Sequence, residues 1–328
     1  MTPTASFDGR QVVVAGLLVA GRRVLLGHRQ PGRAYYPDCW DVPGGHVEAG
    51  EEPAAALRRE LAEELGVDVD EPHRPPEASL ISREVDFRLW EVRRWRGEPA
   101  NRAPEEHDEV GWRTLAEAVV LRLAHPGLRR IVATALGARY WAGAVVHDAT
   151  GRVLLRPPSS DRADGTPLGV VGPAGPLPCW EVPSGSIDAA VLRHGLERVA
   201  GVTVRVPEEV PLVVVEEGDR ALAVWDVPWP AAGASAESTA VPSGHATFET
   251  TGTSARGSSS AGLVWHDPAA ARARLAEAPA LLAAVDQATS AAAGSPLAAV
   301  ACPPGQEVLP RRVQVVRCVG WSPSRPDQ

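Results

Sequence analysis

A seven-residue segment that occurs twice, 140 residues apart, constrains the fold of this chain more than any other feature. Residues 39–45 (CWDVPGG) return as residues 179–185 (CWEVPSG). Hairpin-like stretches upstream and tryptophan-containing strand patterns downstream repeat in the same order around both segments. Self-similarity at a fixed period is typical of a duplicated unit. The sequence therefore predicts two copies of one mixed α/β domain.

The boundaries of the two copies follow from changes in composition. Helical spacing of apolar residues predicts helices after Glu51, Thr114, Asp188 and Pro268. We expect a first domain at 9–137 and a second at 138–290, with a flexible Ser/Thr/Gly/Ala-rich insertion at 231–261. The Pro-rich tail at 291–328 resembles nothing in the first half, and the sequence assigns it no role.

Composition excludes several classes of function. The 328 residues carry a formal net charge of −8 without a basic cluster, which disfavours a nucleic-acid partner. All 33 basic residues are arginine, so Schiff-base lysine chemistry is excluded. No apolar stretch is long enough to span a bilayer, and four scattered cysteines predict reduced thiols. We expect a cytoplasmic protein that does not enter a membrane.

Three carboxylates are crowded on one face of the first predicted helix. Glu60, Glu63 and Glu64 form one stripe, and an adjacent stripe of leucines can face a core. An isolated stripe of this kind is most often a solvated surface. Like charges at this spacing repel one another, however, and a divalent cation would relieve the repulsion. Hard oxygen ligands suit magnesium or manganese.

The wider spacing resembles the Nudix hydrolase family. Gly45, then Glu51, then residues 59–67 (RELAEELGV) fill every fixed position of the motif of that family. The preceding residues 40–45 and the strand pattern 109–112 (EVGW) also resemble elements of the family. The resemblance implies two Nudix-type α/β/α sandwiches around mixed sheets, and cleavage of a phosphoanhydride with water and a divalent cation.

The resemblance also implies roles for individual residues. Glu60, Glu63 and Glu64, with the carbonyl of Gly45, are expected to bind Mg²⁺ or Mn²⁺. Arg59 is expected to orient these carboxylates together with Glu51. The general base stays open among Glu63, Glu64 and Glu109, because members of the family differ.

Four residues are candidate substrate contacts. Arg29 resembles a substrate-contacting arginine of MutT-like members, and the alternative for it is a plain surface arginine at a strand end. Trp40 can stack on a base or pack as part of the strand. Gly44 and Gly45 belong to the loop that leads into the helix.

His46 and His107 are the histidines that neighbour the predicted site. We expect neither to bind metal.

The second copy lacks the carboxylates. Alignment of the two helices places Gly195, Arg198 and Val199 where the first copy has Glu60, Glu63 and Glu64. The preceding loop is shorter, and it has no counterpart of Glu51. The second copy is therefore expected to be catalytically inactive and to pack on the first in place of the second subunit of a homodimer. The oligomeric state stays open.

Two classes of function are compatible with these patterns. The first is a magnesium-dependent pyrophosphohydrolase of nucleoside triphosphates or nucleoside diphosphate derivatives, with 8-oxo-dGTP as a candidate substrate. Within this class, ADP-ribose or another nucleotide sugar is the alternative substrate. The second is a nucleotide-sensing module with little turnover, which an inactive second copy and an unassigned tail would suit.

Overall fold

The chain divides into two compact units. The computed structural model describes residues 6–7, 10–70, 72, 76, 78–81, 85–157, 175–200, 203–206, 210–230, 263–292 and 314–317. The predicted insertion at 231–261 and most of the tail lie outside these residues. The first unit holds the described residues up to Leu136, and the second holds most of those from Gly137 onward.

The first unit is a mixed sheet with helices. Its elements are β1 (Ser6–Phe7), β2 (Arg10–Ala20), β3 (Arg23–Arg29), β4 (Trp40–Asp41), β5 (Gly44–His46), α1 (Pro53–Leu65), β6 (Asp68–Val69), β7 (Ala78–Ile81), β8 (Val85–Val92), β9 (Trp95–Arg96), β10 (His107–Thr114), α2 (Leu115–Val119) and α3 (Leu128–Ala135). The strand order is β10-β3-β2-β8-β7, and the short β4 and β5 pair with β3 and β2. Of the pairs in this order, β2 with β8 is parallel and the others are antiparallel.

Helix α1 is positioned by its apolar stripe. Pro53 stands in its first turn, and Gly66 ends it in the left-handed conformation with φ of 69°. Leu57, Leu61 and Leu65 are fully buried in the core of the first unit. Burying side chains of this size contributes about 2 kcal/mol each. The leucines therefore hold the helix against the sheet, and Glu60 and Glu64 face strand β5.

The second unit repeats the strand order of the first. Its elements are β11 (Arg139–His147), β12 (Val153–Leu155), β13 (Cys179–Glu181), α4 (Asp188–Ala200), β14 (Val213–Glu217), β15 (Arg220–Pro228), β16 (Val264–His266), α5 (Pro268–Leu275), α6 (Pro279–Ala292) and β17 (Gln314–Arg317). The order β16-β12-β11-β15-β14 has one parallel pair, β11 with β15, at the position that β2 and β8 take in the first unit. The same topology thus occurs in both units.

The repeated CW segment does not occupy the same place in the two sheets. In the first unit Trp40 pairs with β3, and the chain reaches the central strand only at Gly44, opposite Ala15. In the second unit Trp180 itself lies opposite Ala142 of the central strand. In the second unit the chain reaches the central strand earlier in the segment, so similar residues occupy different positions in the two sheets. Matching sequence therefore does not give these two segments matching strand partners.

Several smaller expectations can be compared with the structure. Helices begin close to the predicted starts, at Pro53, Leu115, Asp188 and Pro268. The tail contributes β17, which pairs in parallel with β14 of the second unit. Among the described residues, Cys39 and Cys179 are buried and form no disulfide bond. In the part of the chain that the structure describes, every helix is too short or too polar to cross a membrane.

Candidate functional site

The carboxylate of Glu64 lies buried at the junction of α1 and β5. Only 4% of this residue is exposed, and its Oε2 accepts a 2.9 Å hydrogen bond from the backbone N–H of Gly44. Burial raises the pKa of Glu64 to about 8, and the carboxylates of Glu106, Glu60 and Asp41 add to this effect against the Gly44 hydrogen bond. The site therefore holds a carboxylate that lacks a compensating positive charge.

Two glycines allow the helix to approach this closely. A Cβ on Gly45 would stand 2.5 Å from the carboxylate of Glu60, so that side chain lies directly over the glycine. A Cβ on Gly44, whose φ is 151°, would stand 2.1 Å from the carbonyl oxygen of Val14. Burial raises the pKa of Glu60 although Arg59 opposes the shift. The Gly-Gly pair thus provides the space for Glu60 beside the central strand.

Arg59 is the centre of the hydrogen-bond network on this face of the helix. Its Nε and Nη2 donate to the two carboxylate oxygens of Glu51 at 3.1 and 3.0 Å. Its Nη1 donates to Glu60 at 2.9 Å and to Glu63 at 3.2 Å, and Nη2 also donates to the carbonyl of His46. A fork that reaches three carboxylates fixes their orientation. The predicted orienting role of Arg59 agrees with this geometry.

The three predicted carboxylate ligands differ in exposure. The side chain of Glu63 is 60% exposed, whereas that of Glu60 is only 14% exposed. Glu64 is more buried than either. The structure therefore brings Glu60 and Glu64 to the glycine loop and leaves Glu63 at the solvent side of the same helix face.

Two acidic residues that the sequence did not single out belong to this region. Glu106, in the loop before β10, acts electrostatically on both Glu60 and Glu64, and its Oε2 lies 2.8 Å from Nη2 of Arg33. Burial raises the pKa of Asp41 in β4 to about 6, although Arg29 lowers it. Neither residue stands at a fixed spacing from the helix motif, so sequence pattern alone offers no signal for them.

Glu109, the third candidate base, has a different environment. It lies on β10 with its side chain 56% exposed, and it forms an ion pair with Arg113 of the same strand. In this part of the chain, the charge of Glu106 raises the pKa values of Glu60 and Glu64. The structure therefore favours Glu106 over Glu109 as a member of the carboxylate cluster, by which we mean Glu60, Glu64, Glu106 and Asp41.

Arg29 supports a loop. Its Nη2 and Nε donate to the carbonyls of Tyr35 and Tyr36 at 3.0 and 3.2 Å. Its Nη1 lies 3.6 Å from Oδ2 of Asp41. Tyr36 and Asp38 both have left-handed φ values, of 49° and 54°, which are uncommon for residues other than glycine. Arg29 thus stabilises a strained turn between β3 and β4.

Trp40 contacts two polar side chains. The guanidinium carbon of Arg113 lies 4.3 Å from the centroid of the indole, within cation–π range. The ring of His28 lies at 5.2 Å in a tilted arrangement. These contacts fit a packing role, which was one of the two alternatives for Trp40.

His46 and His107 lie close to the candidate site in the fold. Burial lowers the pKa of His107 to about 4, and its ring fills the space over Gly27, where a Cβ would be 2.6 Å away. Burial also lowers the pKa of His46. The imidazole of His107 is therefore neutral at physiological pH.

The donor set suits a hard divalent cation. Glu60, Glu64, Glu106 and Asp41 supply only carboxylate oxygens, and their mutual repulsion is relieved only in part by arginine. Among the residues that the structure describes, no three acidic, histidine or cysteine side chains converge closely enough to hold a metal ion. Arg59 and Arg33 instead hold carboxylates of the cluster. The chemistry of the donors fits the cation, and the side chains must reorient to bind it.

Comparison with known proteins agrees with the motif. The NUDIX domain family matches residues 9–135. A Mycobacterium tuberculosis protein named "Putative 8-oxo-dGTP diphosphatase 2" is 39% identical over 114 residues, which cover 33% of this chain and 75% of that protein. The CTP pyrophosphohydrolase of Escherichia coli is 31% identical over 114 residues, or 34% of this chain and 82% of that protein.

Solved structures include a similar protein from the same family. The MutT Nudix hydrolase from Burkholderia pseudomallei is 28% identical, and the match covers 38% of this chain and 95% of that chain with a TM-score of 0.32. The complete helix motif, the mixed α/β fold of the first unit and the relatives that match over three quarters of their length lead to one assignment. The chain belongs to the Nudix hydrolase family.

Proposed function

We propose that the first unit is a divalent-cation-dependent pyrophosphohydrolase that cleaves nucleoside triphosphates to nucleoside monophosphate and pyrophosphate. The observation that carries the proposal is the buried pair Glu60 and Glu64, which lie over the Gly44-Gly45 loop without a full complement of positive charge. Once a divalent cation is present, such a site is suited to bind a pyrophosphate.

The proposed chemistry divides among few residues. Bound Mg²⁺ or Mn²⁺ would neutralise the phosphate chain and lower the pKa of the attacking water. We propose Glu60, Glu63 and Glu64 with the Gly45 carbonyl as its ligands, and Glu106 as a further carboxylate of the cluster. Arg59 keeps Glu60 and Glu63 oriented through its anchor on Glu51. Arg59 thereby limits the number of orientations that these two carboxylates adopt.

A general base must be able to accept a proton within reach of the attacking water. Glu109 is engaged by Arg113 at the solvent side of β10, which makes it the weakest of the three candidates. Glu64 has the high proton affinity that burial confers, and Glu63 has the exposure that a water requires. We retain Glu63 and Glu64 as the candidate bases.

We propose that purine triphosphates, including 8-oxo-dGTP, are better substrates than ADP-ribose. The name of the M. tuberculosis relative supports this choice, whereas the E. coli relative named for CTP keeps a pyrimidine triphosphate as the competing substrate. Both names point to a triphosphate. In this proposal Arg29 acts on the substrate through the loop that it supports at Tyr35 and Tyr36.

The experiment is a comparison of kcat/KM for 8-oxo-dGTP, dGTP, CTP and ADP-ribose with Mg²⁺, since discrimination between substrates lies in that ratio. Release of pyrophosphate and a nucleoside monophosphate from the triphosphates is expected. A higher kcat/KM for ADP-ribose would contradict the substrate choice and leave the metal chemistry standing. Tight nucleotide binding without turnover would favour the nucleotide-sensing module instead.

We further propose that the second unit, at about 138–290, is a Nudix-like copy without catalytic activity. The shared strand order supports this proposal, as does the absence of carboxylates at Gly195, Arg198 and Val199. A Cβ on Gly195 would stand 2.5 Å from the indole of Trp180, so an aromatic ring covers the helix position that carries Glu60 in the first unit. If the second unit replaces a partner subunit, the full chain is a monomer in solution.

A further inference from the structure

The loop between β3 and β4 is fastened to the loop that carries Glu106. The backbone N–H of Gln30 donates to the carbonyl of Glu106 at 2.8 Å, and the Gln30 side chain donates to the carbonyl of Pro104 at 2.8 Å. Arg33 adds an ion pair to the Glu106 carboxylate at 2.8 Å. Arg33 also lies within the first turn of this loop, because its N–H donates to the carbonyl of Gln30.

The side chain of Glu106 forms an ion pair with Arg33, and its charge also raises the pKa values of two buried carboxylates. These carboxylates are those of Glu60 and Glu64. The side chains of Arg33 and Glu106 are 37% and 34% exposed, so water and ions reach the pair. An ion pair with this exposure is worth about 0–1 kcal/mol. A divalent cation, with twice the charge and several carboxylates to neutralise, can replace it.

We propose that Arg33 is a positioning residue that holds Glu106 beside the carboxylate cluster in the cation-free protein and is displaced when a divalent cation binds. The proposal rests on the proposed function, because it assumes that the cluster receives that cation. Displacement removes the ion pair that joins the loop at 30–38 to Glu106. Cation binding would therefore loosen this loop in the nucleotide-free protein.

Arg122 provides a matched control. It carries the same charge and also holds this loop, because its Nη1 donates to the carbonyl of Asp38 at 3.1 Å and lies 3.6 Å from the Asp38 carboxylate. Both of these contacts are to Asp38 rather than to Glu106. Replacement of Arg122 thus removes one positive charge and the contacts with Asp38 of this loop, and it leaves the Arg33–Glu106 ion pair in place.

The test measures Mn²⁺ affinity by calorimetry in the full chain without nucleotide. A tenfold change in Mn²⁺ affinity corresponds to about 1.4 kcal/mol, and the Arg33–Glu106 ion pair contributes somewhat less than that. We therefore expect Arg33→Gln to bind Mn²⁺ about five-fold more tightly than the wild type. Arg33→Lys should lie between the two. Arg122→Gln should match the wild type within about two-fold, and Glu106→Gln should bind more weakly.

Hydrogen exchange of residues 30–38 supplies a second readout. Mn²⁺ should increase exchange in the wild type, whereas in Arg33→Gln exchange should already be high and insensitive to Mn²⁺. Equal or weaker Mn²⁺ binding by Arg33→Gln, or unchanged exchange in the wild type, would overturn the inference. Neither readout uses turnover, so a chain that shows this pattern but hydrolyses no nucleotide contradicts the proposed function alone.

Discussion

The backbone N–H of Gly44 donates a 2.9 Å hydrogen bond to Oε2 of Glu64, joining the first residue of β5 to the carboxylate helix α1. The bond holds a buried carboxylate beside a loop whose backbone has no room for a side chain. A single hydrogen bond cannot offset the burial of a full negative charge. The junction therefore costs stability while it is ionised and cation-free.

Cation-free protein should lose stability as the pH rises from about 5 to 8. The pKa of Glu64 is raised to about 8 from 4.5, so the folded state holds a proton that the unfolded state releases. Stability is then complete below the unfolded pKa and decreases as the pH approaches the folded pKa. The loss amounts to a few kcal/mol. Thermal melting in EDTA at pH 5 and pH 8 measures it.

Glu64→Gln isolates this effect from the titration of other groups. The variant should be more stable than the wild type at pH 8 in EDTA and similar to it at pH 5. Mg²⁺ should stabilise the wild type at pH 8 and leave the variant almost unchanged, because ligand binding stabilises the state that binds it. Parallel pH profiles for the two proteins would contradict the assignment of the buried charge.

Turnover should depend on Glu63 and Glu64 far more than the fold does. Glu63→Gln and Glu64→Gln should each lower kcat by about 100-fold or more, because the charge is required by the bound cation. Their melting temperatures at pH 5, where Glu64 is protonated in the folded wild type, should differ from that of the wild type by only a few degrees. Glu52→Gln is the matched control, since Glu52 precedes the same helix and makes no side-chain capping bond. Wild-type turnover in both variants would exclude this metal site.

Gly45→Ala should reduce turnover without unfolding the protein. The added methyl would meet the Glu60 carboxylate at 2.5 Å, and a side chain can move where backbone cannot. Displacement of Glu60 by a fraction of an ångström should lower kcat by about tenfold or more. Gly32→Ala is the control, because a Cβ added to Gly32 would have nothing within 4 Å. Equal activity of the two variants would show that turnover does not depend on the position of the Glu60 carboxylate.

Sequence pattern predicted the parts of the site that depend on local spacing. The buried face of α1 and its end at Gly66 follow from positions along one helix, whereas the Arg59–Glu51 pair was expected from the resemblance to the family. Glu106 and Asp41 could not be found in this way, because they join the cluster through strand pairing across the sheet. The unequal placement of the two CW segments was missed for the same reason, since pairing register is set by loop length.

The last prediction concerns the second unit. Gly195→Ala should destabilise the protein by about 1–3 kcal/mol, because its methyl would stand 2.5 Å from the rigid indole of Trp180, and overpacking of this kind costs that much. In a Trp180→Ala background the same change should cost less than about 0.5 kcal/mol or stabilise helix α4, in which alanine is favoured over glycine.

A double-mutant cycle by urea denaturation measures the coupling between these two residues directly. Coupling near zero would show that the indole does not cover Gly195. Strong coupling would mean that Gly195→Glu cannot by itself restore a carboxylate there, because the ring occupies the space the side chain would need. That variant should then gain no Mn²⁺ binding, whereas combining it with Trp180→Ala removes the obstruction and tests whether a carboxylate at this one position is enough for Mn²⁺ to bind.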